Sequence, residues 1–514
     1  MQHLKIVSTS DVHGYLYPTN YSHRHDLRDY GWLRAATLLR QLQRADANDI
    51  TLTIDNGDWI QGSALASYLA TQAPQQAPLF SQLLNAAHYD VGVLGNHEFN
   101  YGLDYLRTAQ AARHYPLLSA NIEGAQAQAI SDAPYQIIEK QGVKIAVLGL
   151  TTAHVPSWEA ARHITGLTFR SALATAQEWV PKLHQLADVV VVAYHGGFEA
   201  DLTTGYPTEP LTNENEGYRL LSQVPGIDAL VTGHQHRQIA GIYQQVPVTQ
   251  PGDKAVAVGL IDLTLDTQHQ VVDHAATLLP TANVALDPTL VAQTQSLETQ
   301  VQRWLDHPVG QLTGASMAIT DPFAARQHHH PYLAFINQVE MAAGQTDIAA
   351  TALFNDDVLG LQPTVTRRQV LNSYAYPNTL VVEEITGVDL RAALEQCASF
   401  FTVTATGQIG PAPTKTQLFN YDVYSGIDYT FDLSQPVGQR LVRLLYHDAP
   451  VRPDQKLQVA MNQYRGNGGG EYPMFRPSKI IREVNQDMAS LIQDYLQTHP
   501  VVTGMTPTNL TIHA

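Results

Sequence analysis

Short runs rich in β-branched residues recur through the first half of the chain, and five of the seven are followed by a polar cluster. The runs occupy residues 4–7, 51–54, 91–94, 144–150, 188–193, 229–232 and 255–265. Between several of them lie stretches such as 33–44 and 172–186, with apolar residues at helical spacing. This alternation predicts an α/β domain in which helices cover a sheet. The carboxyl ends of strands in such sheets form the ligand crevice. The residues just beyond each run are therefore the first place to look for chemistry.

Those residues share a character. STSDVHG follows the first run and carries Asp11 and His13, and IDNGD carries Asp58. GNHEFNYG begins with Gly95-Asn96-His97-Glu98, AYHGG carries His195, and TGHQH carries His234 and His236. With 22 histidines in the chain, a single DxH or GNH has little weight. Five clusters arriving behind five strands have much more. The pairs Asp11/His13 and His234/His236 stand two residues apart, a spacing that points both side chains the same way in extended backbone. Glycines at 14, 57, 95, 196, 197 and 233 permit tight turns and close approach. The candidate ligands are Asp11, His13, Asp58, Asn96, His195, His234 and His236. These nitrogens and oxygens, without a thiolate, suit Mn, Zn, Fe or Co better than Ca or Mg alone. Seven ligands are too many for one transition ion and match two, with one carboxylate shared.

The bulk numbers bound the partners. A chain of 514 residues exceeds the size at which one core stops growing, so two domains are expected. A net charge of -17 argues against a nucleic-acid polymer or an anionic membrane surface as the partner. The single cysteine, Cys397, excludes an intrachain disulfide and is read as a buried apolar residue on a helix. No apolar run approaches about 18 residues, and no leader pattern precedes the first strand, so a cytoplasmic location is expected. Residues 289–305 read as one polar helix opened by Asp287-Pro288, taken as a solvated linker within 287–309. The domains are accordingly set at 1–286 and 310–514. The second has helices near 332–342 and 389–399 and strands near 381–385 and 429–431.

Taken together, DxH, GD, GNHE, the lone His195 and GHxH resemble the calcineurin-like metallophosphoesterases. With its second domain, the chain is similar to their 5'-nucleotidase-type two-domain branch. The resemblance implies a four-layer α/β/β/α catalytic sandwich followed by an α+β substrate-binding domain. It assigns Asp11, His13, Asp58 and His236 to one divalent cation, and Asp58, Asn96, His195 and His234 to the other. Two such ions, roughly 3.5–4 Å apart, clamp a phosphoryl oxygen and generate a metal-bound hydroxide. His97 is implied to face the phosphoryl group, as a charge stabiliser or a proton donor to the leaving oxygen. In 5'-nucleotidases an aspartate three residues later orients that histidine; here Asn100 stands there.

GNHEFNYG, YPNTL (376–380) and NQYRGNGGGEYP (462–473) look like the 2',3'-cyclic-nucleotide 2'-phosphodiesterase/3'-nucleotidase subgroup. That likeness implies a nucleobase held between Tyr376 and Tyr464, with Asn378 at a base edge and Gly466, Gly468, Gly469 and Gly470 shaping the loop. Asn355 in FNDDVLG and Arg326 are further substrate candidates, although the glycines and arginine of the 5'-nucleotidase pattern are absent after Asn355. His328 to His330 precede a helix, where a place beside the substrate and plain surface polarity are both open. The expected activity is metal-dependent opening of 2',3'-cyclic nucleotides to 3'-nucleotides, with loss of the 3'-phosphate a further step. A 5'-nucleotidase or nucleotide-sugar hydrolase is the alternative. A metal-holding nucleotide binder without turnover is the third reading.

Overall fold

The computed structural model describes residues 1–514 apart from 45–48, 210, 375–377 and 416. Its chain divides into two compact units, Met1–Gln302 and Arg303–Ala514.

Two six-stranded sheets make the first unit. One runs, edge to edge, Val271–Pro280, Ala257–Leu265, Gln2–Thr9, Ile50–Asp55, Val91–Val93 and Leu117–Leu118. The other runs Gln238–Tyr243, Val246–Pro251, Ala229–Val231, Val189–His195, Val143–Thr151 and Tyr135–Lys140. Their central strands are parallel, so several carboxyl ends emerge along one edge of each sheet. The strand Val189–His195 shows how the layers form. Val189, Val191 and Ala193 join Leu4, Ile6, Leu52 and Ile54 in the core between the sheets. Val190, Val192 and Tyr194 point the other way and pack with Ala172, Ala176, Val180 and Leu183 of the helix Ala172–Leu183. A period of two thus places each alternate residue in a different core. On the opposite side Trp32, Leu33, Ala36 and Leu39 are the buried face of the helix Trp32–Arg44. The arrangement is helix, sheet, sheet, helix.

The helix Pro288–Leu305 begins as expected, with Asp287 Oδ1 accepting from the backbone N–H groups of Thr289 and Leu290. It is not a solvated linker, however. Leu290, Thr294, Leu297 and Val301 form a buried stripe, and Thr294 and Glu298 bond the hydroxyls of Tyr17 and Tyr21. One apolar residue per turn suffices to seat a helix whose other faces are polar, and composition averages that stripe away.

In the second unit a five-stranded sheet has the order Asp422–Ser425, Ile348–Ala352, Lys456–Asn462, Thr379–Thr386 and Ile480–Asp487. The helices Pro331–Gly344, Gly387–Ala398 and Met488–Thr498 share its core. Cys397 is fully buried in that core, where burial pushes its thiol up to about 12. Among the described residues no helix is long and apolar enough to cross a membrane.

Candidate metal centre

The loops that leave the strand ends of the first unit bring all seven sequence-selected ligands into one cluster. His13 Nε2 and His236 Nε2 face each other at 3.0 Å, and His236 Nε2 lies 3.6 Å from Asp11 Oδ1. His195 Nε2 stands 3.1 Å from Asp58 Oδ2 and 3.2 Å from Asn96 Oδ1. Asn96 Oδ1 is in turn 2.8 Å from His234 Nδ1. Asp58 Oδ2 lies between the two groups, 3.8 Å from His13 Nε2. Asp11, Asp58 and His195 are completely buried, and His236 is the exposed member.

The way these side chains converge differs from the expectation of extended pairs. Asp11, His13, Asp58, His234 and His236 all have left-handed backbone, with φ of 55°, 52°, 60°, 69° and 55°. For residues with a Cβ this conformation costs about 1–2 kcal/mol each, and it persists only where the surroundings impose it. Backbone bonds do so here: Asp11 N donates to Gly57 O at 3.0 Å and His13 N to Asp58 O at 2.8 Å. Turns rather than strand alternation aim both members of each pair inward.

Two glycines allow the loops to touch. A Cβ on Gly95 would meet Asp58 Cγ and the Asp58 backbone nitrogen at 2.7 Å. One on Gly233 would come within 2.6 Å of Asp11 Oδ2. Glu98 completes the arrangement without pointing into it. Its buried carboxylate accepts from the backbone N–H groups of Asp58 (2.8 Å), Trp59 (2.6 Å) and Gly95 (2.6 Å). It therefore ties the loop bearing Asp58 to the loop bearing Asn96.

The donor set fits a pair of cations. His13 Nδ1 faces the Gln61 carbonyl at 3.0 Å and His195 Nδ1 the Asn56 carbonyl at 2.6 Å. A carbonyl only accepts, so those nitrogens carry the proton and leave Nε2 bare on the inside. His234 Nε2 lies 3.4 Å from Glu214 Oε1, which leaves Nδ1 facing Asn96. Lone pairs thus meet lone pairs across the cluster. Asp58 Oδ1 takes the backbone N–H of His97 at 2.7 Å, while buried Oδ2 faces the His195 ring, its Nε2 3.1 Å away. Positive charge is what this arrangement lacks. Protons partly supply it: burial opposes a charge on His195, but Asp58 and Asp11 outweigh burial and raise its pKa to about 10. Burial likewise works against the Asp58 carboxylate, yet His195, His97 and His13 hold it well below the ordinary range. His13, where burial dominates, falls to about 4. A cation binding at His195 must displace that proton, so affinity weakens as pH falls.

His97 stands beside the cluster, its ring centroid 5.1 Å from that of His13. Its Nδ1 is 2.6 Å from Asn100 Oδ1. Sequence reasoning singled out neither Glu214 nor Glu159, which holds Asn100, because both lie in loops without a repeating pattern. Glu98 was visible as the last letter of GNHE but had no role.

The second-unit candidates divide. Tyr376 lies outside the described residues. Tyr464 exposes 43% of its surface on the short helix Gln463–Gly466, with Phe419 edge-on at 6.1 Å. Gly469 lies against that tyrosine: a Cβ there would meet its ring at 2.6 Å. The loop is anchored by buried Arg465, which pairs with Asp422 at 2.7 Å and stacks over Tyr472 at 3.9 Å. Asn378 is half-buried, and its backbone carbonyl accepts from Met488 N at 3.1 Å. The Asn355 side chain closes its own loop by accepting from Asp357 N at 2.9 Å. Arg326 is not offered to a ligand. It is 1% exposed and binds Asp356 at 2.7 Å and the Leu353 carbonyl at 2.9 Å. His329 is also interior, bonded to Asn509 at 2.7 Å, and burial lowers its pKa to about 4.

Comparison with known proteins agrees with this architecture. The calcineurin-like phosphoesterase family matches residues 4–238, and the 5'-nucleotidase C-terminal domain matches residues 308–477. A 2',3'-cyclic-nucleotide 2'-phosphodiesterase/3'-nucleotidase of Haemophilus influenzae is 29% identical, over 96% of this chain and 84% of its own. A protein of the same name from Salmonella typhimurium is 28% identical, over 91% of this chain and 81% of its own. The crystal structure of a putative 5'-nucleotidase from Staphylococcus aureus, in complex with alpha-ketoglutarate, matches at a TM-score of 0.89. It is 35% identical and covers 100% of both chains. The chain belongs to the two-domain 5'-nucleotidase family, a calcineurin-like phosphoesterase domain followed by a 5'-nucleotidase C-terminal domain.

Proposed function

We propose that this protein is a divalent-metal-dependent phosphoesterase that opens 2',3'-cyclic nucleotides to 3'-nucleotides and then removes the 3'-phosphate. The observation that carries the reading is the buried Asp58 Oδ2 set between two imidazoles, 3.1 Å from His195 Nε2 and 3.8 Å from His13 Nε2. Asp11, His13, Asp58 and His236 would hold one cation, and Asp58, Asn96, His195 and His234 the other. Bound there, the ions supply an electrophile for a phosphoryl oxygen and a lowered pKa for water.

The remaining steps belong to side chains. His97, free of the ligand set, stabilises charge on the phosphoryl group or delivers a proton to the leaving oxygen. Its Nδ1 is taken by Asn100, so the proton moves at Nε2. Tyr464 offers an exposed ring on which a base stacks, contributing about 1–3 kcal/mol with little preference among bases. Support for the cyclic substrate comes from the names of the relatives and from Asn100, an amide where 5'-nucleotidases carry a carboxylate. A 5'-nucleotidase activity is the second reading, favoured by the name of the Staphylococcus aureus homologue.

Turnover by Mn-reconstituted protein decides between them. The panel is 2',3'-cAMP, 3'-AMP, 5'-AMP and bis(p-nitrophenyl) phosphate. The cyclic nucleotide should give the highest kcat/KM. Preference for 5'-AMP would install the second reading, and no hydrolysis of any substrate would overturn both.

A further inference from the structure

A chain of hydrogen bonds leads outward from His97 to a residue no motif announces. His97 Nδ1 meets Asn100 Oδ1 at 2.6 Å, and Asn100 Nδ2 donates to Glu159 Oε2 at 2.7 Å. The second oxygen of Glu159 accepts from Ala160 N at 2.9 Å and pairs with His163 Nδ1 at 2.6 Å. The Glu159 side chain is only 8% exposed, and its two anchors lie in or next to the short helical turn Ala161–His163.

We propose that Glu159 is a positioning residue for the hydrolysis: it fixes the orientation of the Asn100 amide and, through it, the tautomer of His97. The inference rests on the reading of His97 as the residue that serves the phosphoryl group.

The argument is one of donors and acceptors. A primary amide has nearly the same shape after a half-turn, so packing does not choose between its two ends. Flipped, Asn100 would present N–H to His97 and demand a lone pair on Nδ1. The ring would then carry its proton on Nε2, and the nitrogen available for exchange would be the wrong one. An ionised carboxylate only accepts. Glu159 therefore requires Asn100 Nδ2 on its side, because the flipped amide would set two acceptor oxygens against each other at hydrogen-bond distance. With Oδ1 turned to the ring, His97 holds its fixed proton at Nδ1 and exchanges protons at Nε2. An aspartate at position 100 would need no such guide, since both its oxygens accept. Asn100 and Glu159 thus form one unit, with the negative charge set one residue back from the ring.

That logic predicts a change of sign. The cycle comprises the wild type, Glu159→Ala, Asn100→Asp and the double variant, each as full-length Mn-loaded enzyme with metal content measured. In the Asn100 background Glu159→Ala should lower kcat about 10- to 100-fold, with KM and metal content unchanged. In the Asn100→Asp background the same substitution should leave kcat unchanged or raise it, because it removes a facing carboxylate. Glu159→Gln, which keeps an oxygen for Asn100 Nδ2, should recover most of the lost rate. Independently, 15N NMR of the metal-free protein, with ring signals assigned by difference against His97→Gln, should show the neutral His97 ring protonated at Nδ1. Glu159→Ala should shift it toward Nε2–H. Equal losses in both backgrounds, an unchanged tautomer, or no loss in either background would overturn the proposal. Should His97→Gln keep the wild-type kcat, the catalytic reading of His97 falls, while the tautomer spectra still decide whether Glu159 orients the ring.

Discussion

Replacing Gly95 by alanine inserts one methyl group between the loop that carries Asp58 and the loop that carries Asn96. The new Cβ would lie 2.7 Å from Asp58 Cγ and 2.7 Å from its backbone nitrogen. Carbon atoms in ordinary contact are about 3.5 Å or more apart, so the Asp58 carboxylate must retreat by roughly 1 Å. Metal–ligand distances hold to about 0.2 Å, which makes that retreat large for a ligand. Since Asp58 would be shared by both cations, both sites suffer. Their affinities should fall by about 10- to 100-fold, or roughly 1.4–2.8 kcal/mol each. Overpacking itself costs the fold about 1–3 kcal/mol, within the 5–15 kcal/mol that domains commonly possess, so the chain should still fold. Calorimetric titration of metal-free wild type and Gly95→Ala with Mn or Zn, alongside a thermal melt, measures each part. A variant that binds two cations per chain with unchanged affinity would refute the placement of Asp58 between them.

Two further expectations concern groups away from the ligands. Burial, then the neighbouring Glu98, raises the Asp55 carboxyl to about 7, against an ordinary 3.8. The folded state therefore holds a proton that the unfolded chain releases. Stability is full below about pH 4 and is lost as pH rises through 7, by up to about 4 kcal/mol. Asp55→Asn keeps an acceptor for Trp59 Nε1 and a partner for the Tyr115 hydroxyl, and should flatten that dependence. Denaturant melts of both proteins at pH 5 and pH 8 check it, and a parallel fall in the variant would be the contrary result. Tyr464→Ala should weaken nucleotide binding by about 1–3 kcal/mol while leaving hydrolysis of bis(p-nitrophenyl) phosphate nearly unchanged. Equal loss on both substrates would make the tyrosine a structural residue.

The strand positions were legible because their residues are buried on both faces and read as continuous β-branched runs. Residues 188–193 gave the strand Val189–His195, and 144–150 gave Val143–Thr151. The seven clustered side chains were legible for a related reason: each stands at or just past the carboxyl end of a strand, where a fold of this class gathers its chemistry. The helix Pro288–Leu305 misled because a single buried stripe hides in a polar composition. Arg326, considered because some relatives place an arginine there, is instead buried and paired with Asp356.

Residue type and chain order by themselves therefore determined the layered class and the candidate ligand set, which local spacing encodes, while the place of His97 beside that set came from the family resemblance. Tertiary structure alone decided the left-handed turns at Asp11, His13, Asp58, His234 and His236, and the bracing by Glu98, Glu214 and Glu159. The physical reason is that a strained φ or a chosen amide orientation exists only while partners distant along the chain, such as Asn100 and Glu159, enforce it.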